Sequence, residues 1–414
     1  MRADRLHGFY DEAAETLTAA QRRAFQESFL PSLVEFCHSG STTYREKLDG
    51  AGVAPGEVRT LEDLQRVPVT RKWETADLLF EGVMTVPYRQ AQRIYVSPGP
   101  QFYAYGPIPQ QLNPLLKVYH AIGFRSNDIV INTFSYHLTP AGINFDESLG
   151  AFGCAVVPAG PGNTELVVDI LRVLPVTGYV GTPSFLAILA ERARELGHDP
   201  REAFSLECAL TSAETLTAEM RAQLEETYGA SVRQLYGSAD GLLPCFECWA
   251  ADGMHVPEMM ILEITDPESG EALPAGTPGA VTATVFNPYR PLLRFCNGDR
   301  GMLIDEPCRC GRSAVRFRFL GRIDDAVKVR GMFVYPEEIA KAMVRVGAER
   351  WRAWVERDAA GLDIFTVEYE SETTSEAVAA ALRDAVRVRA ETYAVPPGTI
   401  GDDIARLEDR RSHD

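Results

Sequence analysis

Apolar residues recur along the chain with two different periods, and the change of period divides it into regions. Residues 1 to about 85 carry helical spacing. FLPSLVEFCHSG sets apolar side chains three and four apart, and LEDLQRVPVTRKWETADLLF predicts two short helices broken at Pro68. From about 90 to 315 short β-branched runs take over: DIVINTF, GCAVVPAG, TGYVGTP, ECALTSAE, VRQLYGS and AVTATVF. Amphipathic stretches such as SFLAILAERARELG and AEMRAQLEETYG lie between them. That alternation predicts an α/β class, with a large N-terminal domain (residues 1–320) of mainly parallel sheets with helices. Near residue 320 the texture changes. GRIDDAVKVRGMFVYPEEI predicts strand, turn and strand, and Pro336 then opens a helix with Glu337 and Glu338 in its first turn. RWRAWVER and LDIFTVEYE read as strands and SEAVAAALRDAVRVRAE as a helix, while the polar PGTIGDDIARLEDRRSHD is expected to fray at its end. Residues 321–414 thus predict a small α+β C-terminal domain.

Composition narrows the function classes. Of 414 residues 45% are apolar and 24% charged, as in an ordinary globular protein. With 41 basic and 58 acidic residues the net charge is −17, which argues against nucleic acid or an anionic membrane as partner. MRADRLHGFYDEAAETL lacks the apolar core of a secretory signal, and no stretch reaches 18 apolar residues in a row. Eight cysteines are too sparse for a disulfide framework. A cytoplasmic location with reduced thiols is the expectation, with Cys37, Cys154 and Cys208 as buried thiols. Lysine is scarce: Lys47, Lys72, Lys117, Lys328 and Lys341 stand beside 36 arginines, and none follows Lys341.

Four late residues have the composition of a metal site. Cys248 and His255 (C-x6-H) with Cys308 and Cys310 (C-x-C) make a Cys3His set. Such ligands suit tetrahedral zinc and leave no open position, so the site would be structural. The C-x6-H spacing is looser than a zinc finger's, Cys245 is an alternate ligand, and the plain alternative is reduced thiols in surface loops.

Eight segments in order resemble the adenylate-forming acyl-CoA ligase superfamily, most closely its phenylacetate–CoA ligase branch. They are YREKLDGAGVAP…LEDLQRVPVTRK, GAFGCAVVPAGPGNTE, GTPSFLAILAE, LTSAETLTAEMR, LYGSADG, RFCNGDRG, PCRCGR and GRIDDAVKVRGMFVYPEEI. The resemblance spans about residues 30 to 370 and implies nucleotide binding between a large and a small domain. It places Asp299 on the ribose hydroxyls, Ser212, Ala213 and Glu214 against adenine, and Tyr236 with Gly237 over adenine and the acyl group. Arg322 matches the arginine near ribose and phosphate, and Asp324 the hinge of the small domain. Lys328 lies in the same stretch and joins Tyr236, Asp240 and Arg322 as catalytic candidates. NTFSYHLTPAGINF and GTPSF match segments that wall the acid, which makes Tyr136, His137, Phe145 and Gly181 pocket candidates. The branch also has the Cys/His pairing described above. ATP or AMP, Mg²⁺ and CoA are the implied small molecules, with a carboxylic acid or acyl thioester as substrate; a homodimer is left open.

Three departures bear on mechanism. Where relatives carry a Ser/Thr/Gly-rich loop with lysine to cradle phosphates, this chain has SPGPQFYAYGP. Pro98 and Pro100 lack amide donors, and Phe102, Tyr103 and Tyr105 add bulk. Asp240 stands where relatives have a glutamate on Mg²⁺, a swap that shortens reach but keeps charge. The tail GDDIARLEDRR puts Asp402 or Asp403 at the place of the adenylation lysine, with Arg406 and Arg410 as neighbouring cations. Three readings follow: an AMP-forming ligase with altered phosphate contacts, an ATP-independent homologue using a preformed acyl-CoA or acyl-adenylate, or a non-catalytic binding homologue.

Overall fold

The computed structural model describes residues 5–72, 74, 82–97, 101–106, 113–238, 244–323, 326–329, 332–357, 363–401 and 406–411. The chain divides into two compact units, Met1–Asn297 with Gly301–Phe319, and Gly298–Arg300 with Leu320–Asp414.

The larger unit opens with helices α1 (Glu12–Glu15), α2 (Ala19–Gly40), α3 (Thr42–Gly50) and α4 (Leu61–Leu64). Thr18 and Gln21 cap α2 reciprocally, and its Leu30, Leu33, Val34 and Cys37 are buried. The stretch after α4 departs from the helical expectation. Thr70–Arg71 form a short strand, β1, that pairs in parallel with Phe295 and Cys296. Residue 73 and residues 75–81 lie outside the described set. An antiparallel hairpin, β2 (Arg93–Ser97) and β3 (Gln101–Tyr105), comes next.

From there strands and helices alternate as the periodicity predicts: α5 (Leu115–Ile122), β4 (Ile129–Asn132), α6 (Ala141–Phe152), β5 (Ala155–Pro158), α7 (Thr164–Val173), β6 (Gly178–Gly181), α8 (Pro183–Glu195), α9 (Pro200–Ala203), β7 (Cys208–Thr211), α10 (Ala218–Tyr228) and β8 (Ser231–Tyr236). The five strands run parallel in the order β5-β4-β6-β7-β8. Successive residues feed opposite faces, as the pleat requires. Val130, Val180 and Leu210 join Tyr119, Phe145 and Leu149 of α5 and α6. Ile131, Tyr179 and Ala209 join Leu171, Leu189 and Leu224 of α7, α8 and α10. Both faces are thus covered, which is why these strands read as apolar runs.

Beyond β8 the sheet continues antiparallel and without crossover helices, through β9 (Cys245–Phe246), β10 (Met254–His255), β11 (Met260–Thr265), β12 (Gly279–Val285), β13 (Leu292–Ile304) and β14 (Arg316–Arg322). Twelve described strands form one sheet, ordered β11-β12-β13-β14-β10-β9-β8-β7-β6-β4-β5 with β1 beside β13.

The smaller unit contains the hairpin β15 (Val327–Val329) and β16 (Met332–Val334), then α11 (Pro336–Arg345), β17 (Arg350–Arg357), β18 (Asp363–Glu370), α12 (Ser375–Val386), β19 (Ala390–Ala394) and β20 (Leu407–Asp409). Its four-stranded sheet is ordered β19-β18-β17-β20. Ile339, Met343, Val378 and Leu382 of the two helices pack on Val355, Phe365 and Val367. Two expectations are corrected here. The helix ends at Val386 because Arg387 turns left-handed (φ 54°), and AETYA becomes a strand. Part of the expected frayed tail, Leu407–Asp409, pairs in parallel with Ala353–Val355. An edge strand gains its ladder from backbone groups, so a polar sequence suffices. Arg411 adds an ion pair to Asp363 at 3.1 Å.

Candidate functional site

The Cys3His set converges. Cys248 follows β9, His255 ends β10, and Cys308 and Cys310 lie between β13 and β14, yet all four donor atoms fall within 4.8 Å of one another. Cys248 Sγ is 3.7 Å from Cys308 Sγ, and Cys310 Sγ is 3.3 Å from His255 Nε2. Tetrahedral zinc with Zn–S near 2.3 Å sets its ligand sulfurs about 3.8 Å apart, so the donors fit that ion. Hydrogen bonding from Cys248, with His255 alongside, pulls the Cys310 thiol well below the ordinary thiol range, while the same bond pushes the Cys248 thiol up. Cys245 stands apart in the apolar cluster with Met254 and Phe317.

The N-terminal segment is fastened to the same loop. Glu15 Oε1 accepts from the backbone N–H of Tyr10 (2.8 Å) and Asp11 (2.9 Å), and Oε2 accepts from Arg312 Nε at 2.6 Å. Arg312 also donates to the Gly8 carbonyl at 3.0 Å, and the ion pair is almost fully buried.

Ser212–Glu214 and Tyr236–Gly237, the residues expected against adenine, lie at the C-terminal ends of β7 and β8, where open α/β sheets hold ligands. Ser212 Oγ donates to the Leu235 carbonyl at 2.7 Å, and Ala213 sits at φ 70°, a strained value for a residue with a Cβ. Glu214 accepts from Ser184 Oγ (2.8 Å) and Ser184 N–H (3.2 Å) at the start of α8. The Tyr236 ring packs 4.9 Å from Phe317 and 5.7 Å from Phe319, and its hydroxyl accepts from Asn297 Nδ2 at 2.8 Å. Gly237 follows it, where a Cβ would meet Leu235 Cδ2 at 3.4 Å. Asp299 and Arg322 are brought together, Nη1 to Oδ1 at 3.0 Å. Gly298, at φ 87°, makes room for this pair, since a Cβ there would stand 2.9 Å from the guanidinium.

The residues expected to wall the acid are found on and around the segment that follows β4. The Tyr136 hydroxyl donates to Asp146 Oδ2 at 2.7 Å and accepts from Asn132 Nδ2 at 2.9 Å. Burial and the Asp146 carboxylate push its pKa up, so it stays a neutral phenol. Phe145 is buried and stacks on Phe134 at 5.2 Å. Gly181 presses against Thr133 and Tyr179, where any Cβ would overlap the Thr133 hydroxyl. His137 lies exposed on the loop beyond β4. Asp240, Asp324, Asp402, Asp403, Pro98 and Pro100 lie outside the described residues; Lys328 falls on β15, opposite Phe333 of β16.

Sequence reasoning passed over Asn132, Asp146 and Ser184. The available signal for Asn132 was its place as the polar end of the apolar run IVIN.

No protein-family profile matches the chain. Over 351 residues it is 34% identical to the phenylacetate–coenzyme A ligase of Thermus thermophilus, covering 81% of this chain and 78% of that one. The chain belongs to the phenylacetate–CoA ligase family. A second member, from Escherichia coli, is 27% identical over 343 residues, covering 80% and 78%. The fold agrees with the family assignment. A crystal structure of 2-hydroxyisobutyryl-CoA ligase, in an open conformation with 2-HIB-AMP and CoA, superposes with a TM-score of 0.84 at 24% identity over 98% of this chain and 95% of that one. ATP-bound MatB from Rhodopseudomonas palustris gives 0.55 at 18% identity, covering 77% and 67%. Among the described residues no helix is long and apolar enough to cross a membrane.

Proposed function

We propose that this member of the phenylacetate–CoA ligase family is an AMP-forming acid–CoA ligase acting on an aromatic or medium-sized apolar carboxylic acid. The observation that carries the reading is similarity to a named ligase along 81% of the chain, with Asp299 and Arg322 paired at 3.0 Å. In this reaction the substrate carboxylate attacks the α-phosphorus of ATP and pyrophosphate leaves. The CoA sulfur then attacks the carbonyl carbon and AMP leaves. Asp299 accepts the ribose hydroxyls, Arg322 faces ribose and phosphate, Ser212–Glu214 and Tyr236–Gly237 hold adenine, and Asp240 is the Mg²⁺ ligand. Tyr136, His137, Phe145 and Gly181 wall the acyl group, Lys328 is a further catalytic cation, and Asp324 is the hinge.

Zinc belongs to the proposal as a structural ion on Cys248, His255, Cys308 and Cys310. Held by these four residues, it would tie the β13–β14 connection to β9 and β10 and would take no part in the chemistry.

One observation favours a second reading, the use of a preformed acyl-CoA or acyl-adenylate without ATP: no lysine follows Lys341, and aspartates occupy the expected place. The deciding experiment offers aromatic and aliphatic acids with ATP·Mg²⁺, with and without CoA, and follows pyrophosphate and AMP. Calorimetry with ATP, AMP and CoA runs beside it. The ligase reading expects tight ATP binding, AMP release, and a fall of about 10²–10³-fold in kcat/KM for Asp299→Ala. AMP or CoA binding at least as tightly as ATP, with no pyrophosphate from any acid, selects the second reading.

A further inference from the structure

Leu138 is held in a conformation that leucine ordinarily avoids. Its φ is 61°, and the Thr139 N–H donates to the His137 carbonyl at 2.7 Å, closing a three-residue turn around it. With positive φ at its centre this is the rare and strained form of the γ turn. The same short bond closes over Pro158 (3.0 Å) and Pro175 (2.8 Å), but there the proline ring fixes φ at its ordinary negative value. Nothing in the leucine side chain imposes such a turn, so the surroundings must.

They do so through several bonds. Ser135 Oγ accepts from the His137 N–H at 3.1 Å and donates to the His137 carbonyl at 3.2 Å. The Gly142 N–H donates to the Ser135 carbonyl at 3.2 Å, and the Phe134 N–H to Asn132 Oδ1 at 3.1 Å. The Leu138 carbonyl accepts from the Val96 N–H at 2.7 Å, which fixes the turn to β2, the strand leading into the segment aligned with the phosphate loop.

The side chain so presented is 69% exposed. Glycine or asparagine would fit this backbone better, and a leucine left in water adds nothing to folding. Both features oppose stability, and an over-determined strained residue of this kind marks a functional position. The turn lies at the C-terminal end of parallel strand β4, one residue beyond the Tyr136–His137 pair.

We infer that Leu138 is a specificity-determining residue, pressed by its γ turn against the hydrocarbon part of the acyl substrate. The inference rests on the ligase reading and adds to it a side chain that selects apolar acids over short polar ones. The test compares wild type with Leu138→Ala, Leu138→Gly and Leu138→Asn, using phenylacetate, hexanoate and acetate with ATP·Mg²⁺ and CoA.

All three variants should raise the KM for phenylacetate or hexanoate about 5–20-fold while acetate, ATP and kcat move less than about twofold. The glycine and asparagine variants, at ease at positive φ, should melt about 1–3 °C above the alanine variant. Unchanged preference for the apolar acids in Leu138→Ala, in an enzyme whose wild type turns them over, overturns this inference alone. A wild type that turns over no acid overturns the ligase reading and this inference with it. A wild type that prefers acetate overturns the inference and leaves ligase chemistry standing. Equal melting points across the variants would refute the strained turn that presents the side chain.

Discussion

The two halves of the large sheet are held together by different forces. In the parallel half, β4 to β8 are covered on both faces by crossover helices, and Val130, Ile131, Tyr179, Val180, Ala209 and Leu210 are at most 1% exposed. Its polar groups gather at the strand ends, at Asn132, Ser212 and Glu214, apart from Arg233 within β8, which is buried against Glu225. In the antiparallel half the strands follow one another without crossover helices, and buried charge stands in for part of the apolar packing. Arg312–Glu15 and Arg294–Glu263 (3.1 Å) are ion pairs at or below about a tenth exposure, and the Cys3His cluster lies beside the first of them. A sheet with two covered faces can leave its loops to strain and binding. A sheet without crossover helices uses its connections as cross-links.

That contrast can be broken at its strongest point first. Cys308→Ser with Cys310→Ser should remove about one zinc per chain from tag-free protein and lower Tm by about 10 °C or more, because metal-binding energy is folding energy. Metal analysis together with a melting curve checks both halves of the statement. A melt unchanged by the double substitution would show that the antiparallel half needs no metal.

Next in size, Glu15→Ala leaves Arg312 buried without its carboxylate, at an expected cost of about 3–5 kcal/mol. Denaturant titration measures this, and Glu15→Gln should recover part of it by keeping an acceptor. The smallest effect belongs to the parallel half. Tyr136→Phe removes one hydroxyl between Asn132 and Asp146, costing about 1 kcal/mol in binding or stability. It should raise the KM for the acid several-fold while Tm moves little. A large fall in Tm instead would make the Tyr136 network a structural cross-link and erase the contrast between the halves.

The parallel half was legible in the sequence because strands buried on both faces must be apolar along their length, as the runs IVI, YVG and CAL inside DIVINTF, TGYVGTP and ECALTSAE are. The convergence of the Cys3His quartet was legible because few residue types make such clusters. The strand Leu407–Asp409 was hidden, since backbone pairing at an edge leaves no apolar signature. So were the glutamate–arginine pairs, because a buried charge is spelled with the same letters as an exposed one. The turn at Leu138 was hidden for a related reason: leucine gives no sign of positive φ, and the hydrogen bonds that force it come from Ser135 and the distant Val96. The segments that resemble the family's could be ordered along the chain, but the contacts that fix their geometry needed the fold.

The clasp between Glu15 and Arg312 also sets a timetable. Its partners are 297 positions apart, and Arg22 reaches Ser313 across 291. At about 5–20 residues per second, the ribosome needs roughly 15–60 s to go from one side of the clasp to the other. Through that interval the N-terminal helices exist without the loop that receives them, and the buried charge of Glu15 has no counter-ion. The larger unit therefore completes itself only late in synthesis, and any fragment ending before residue 312 carries an unmatched acid at its N-terminal end.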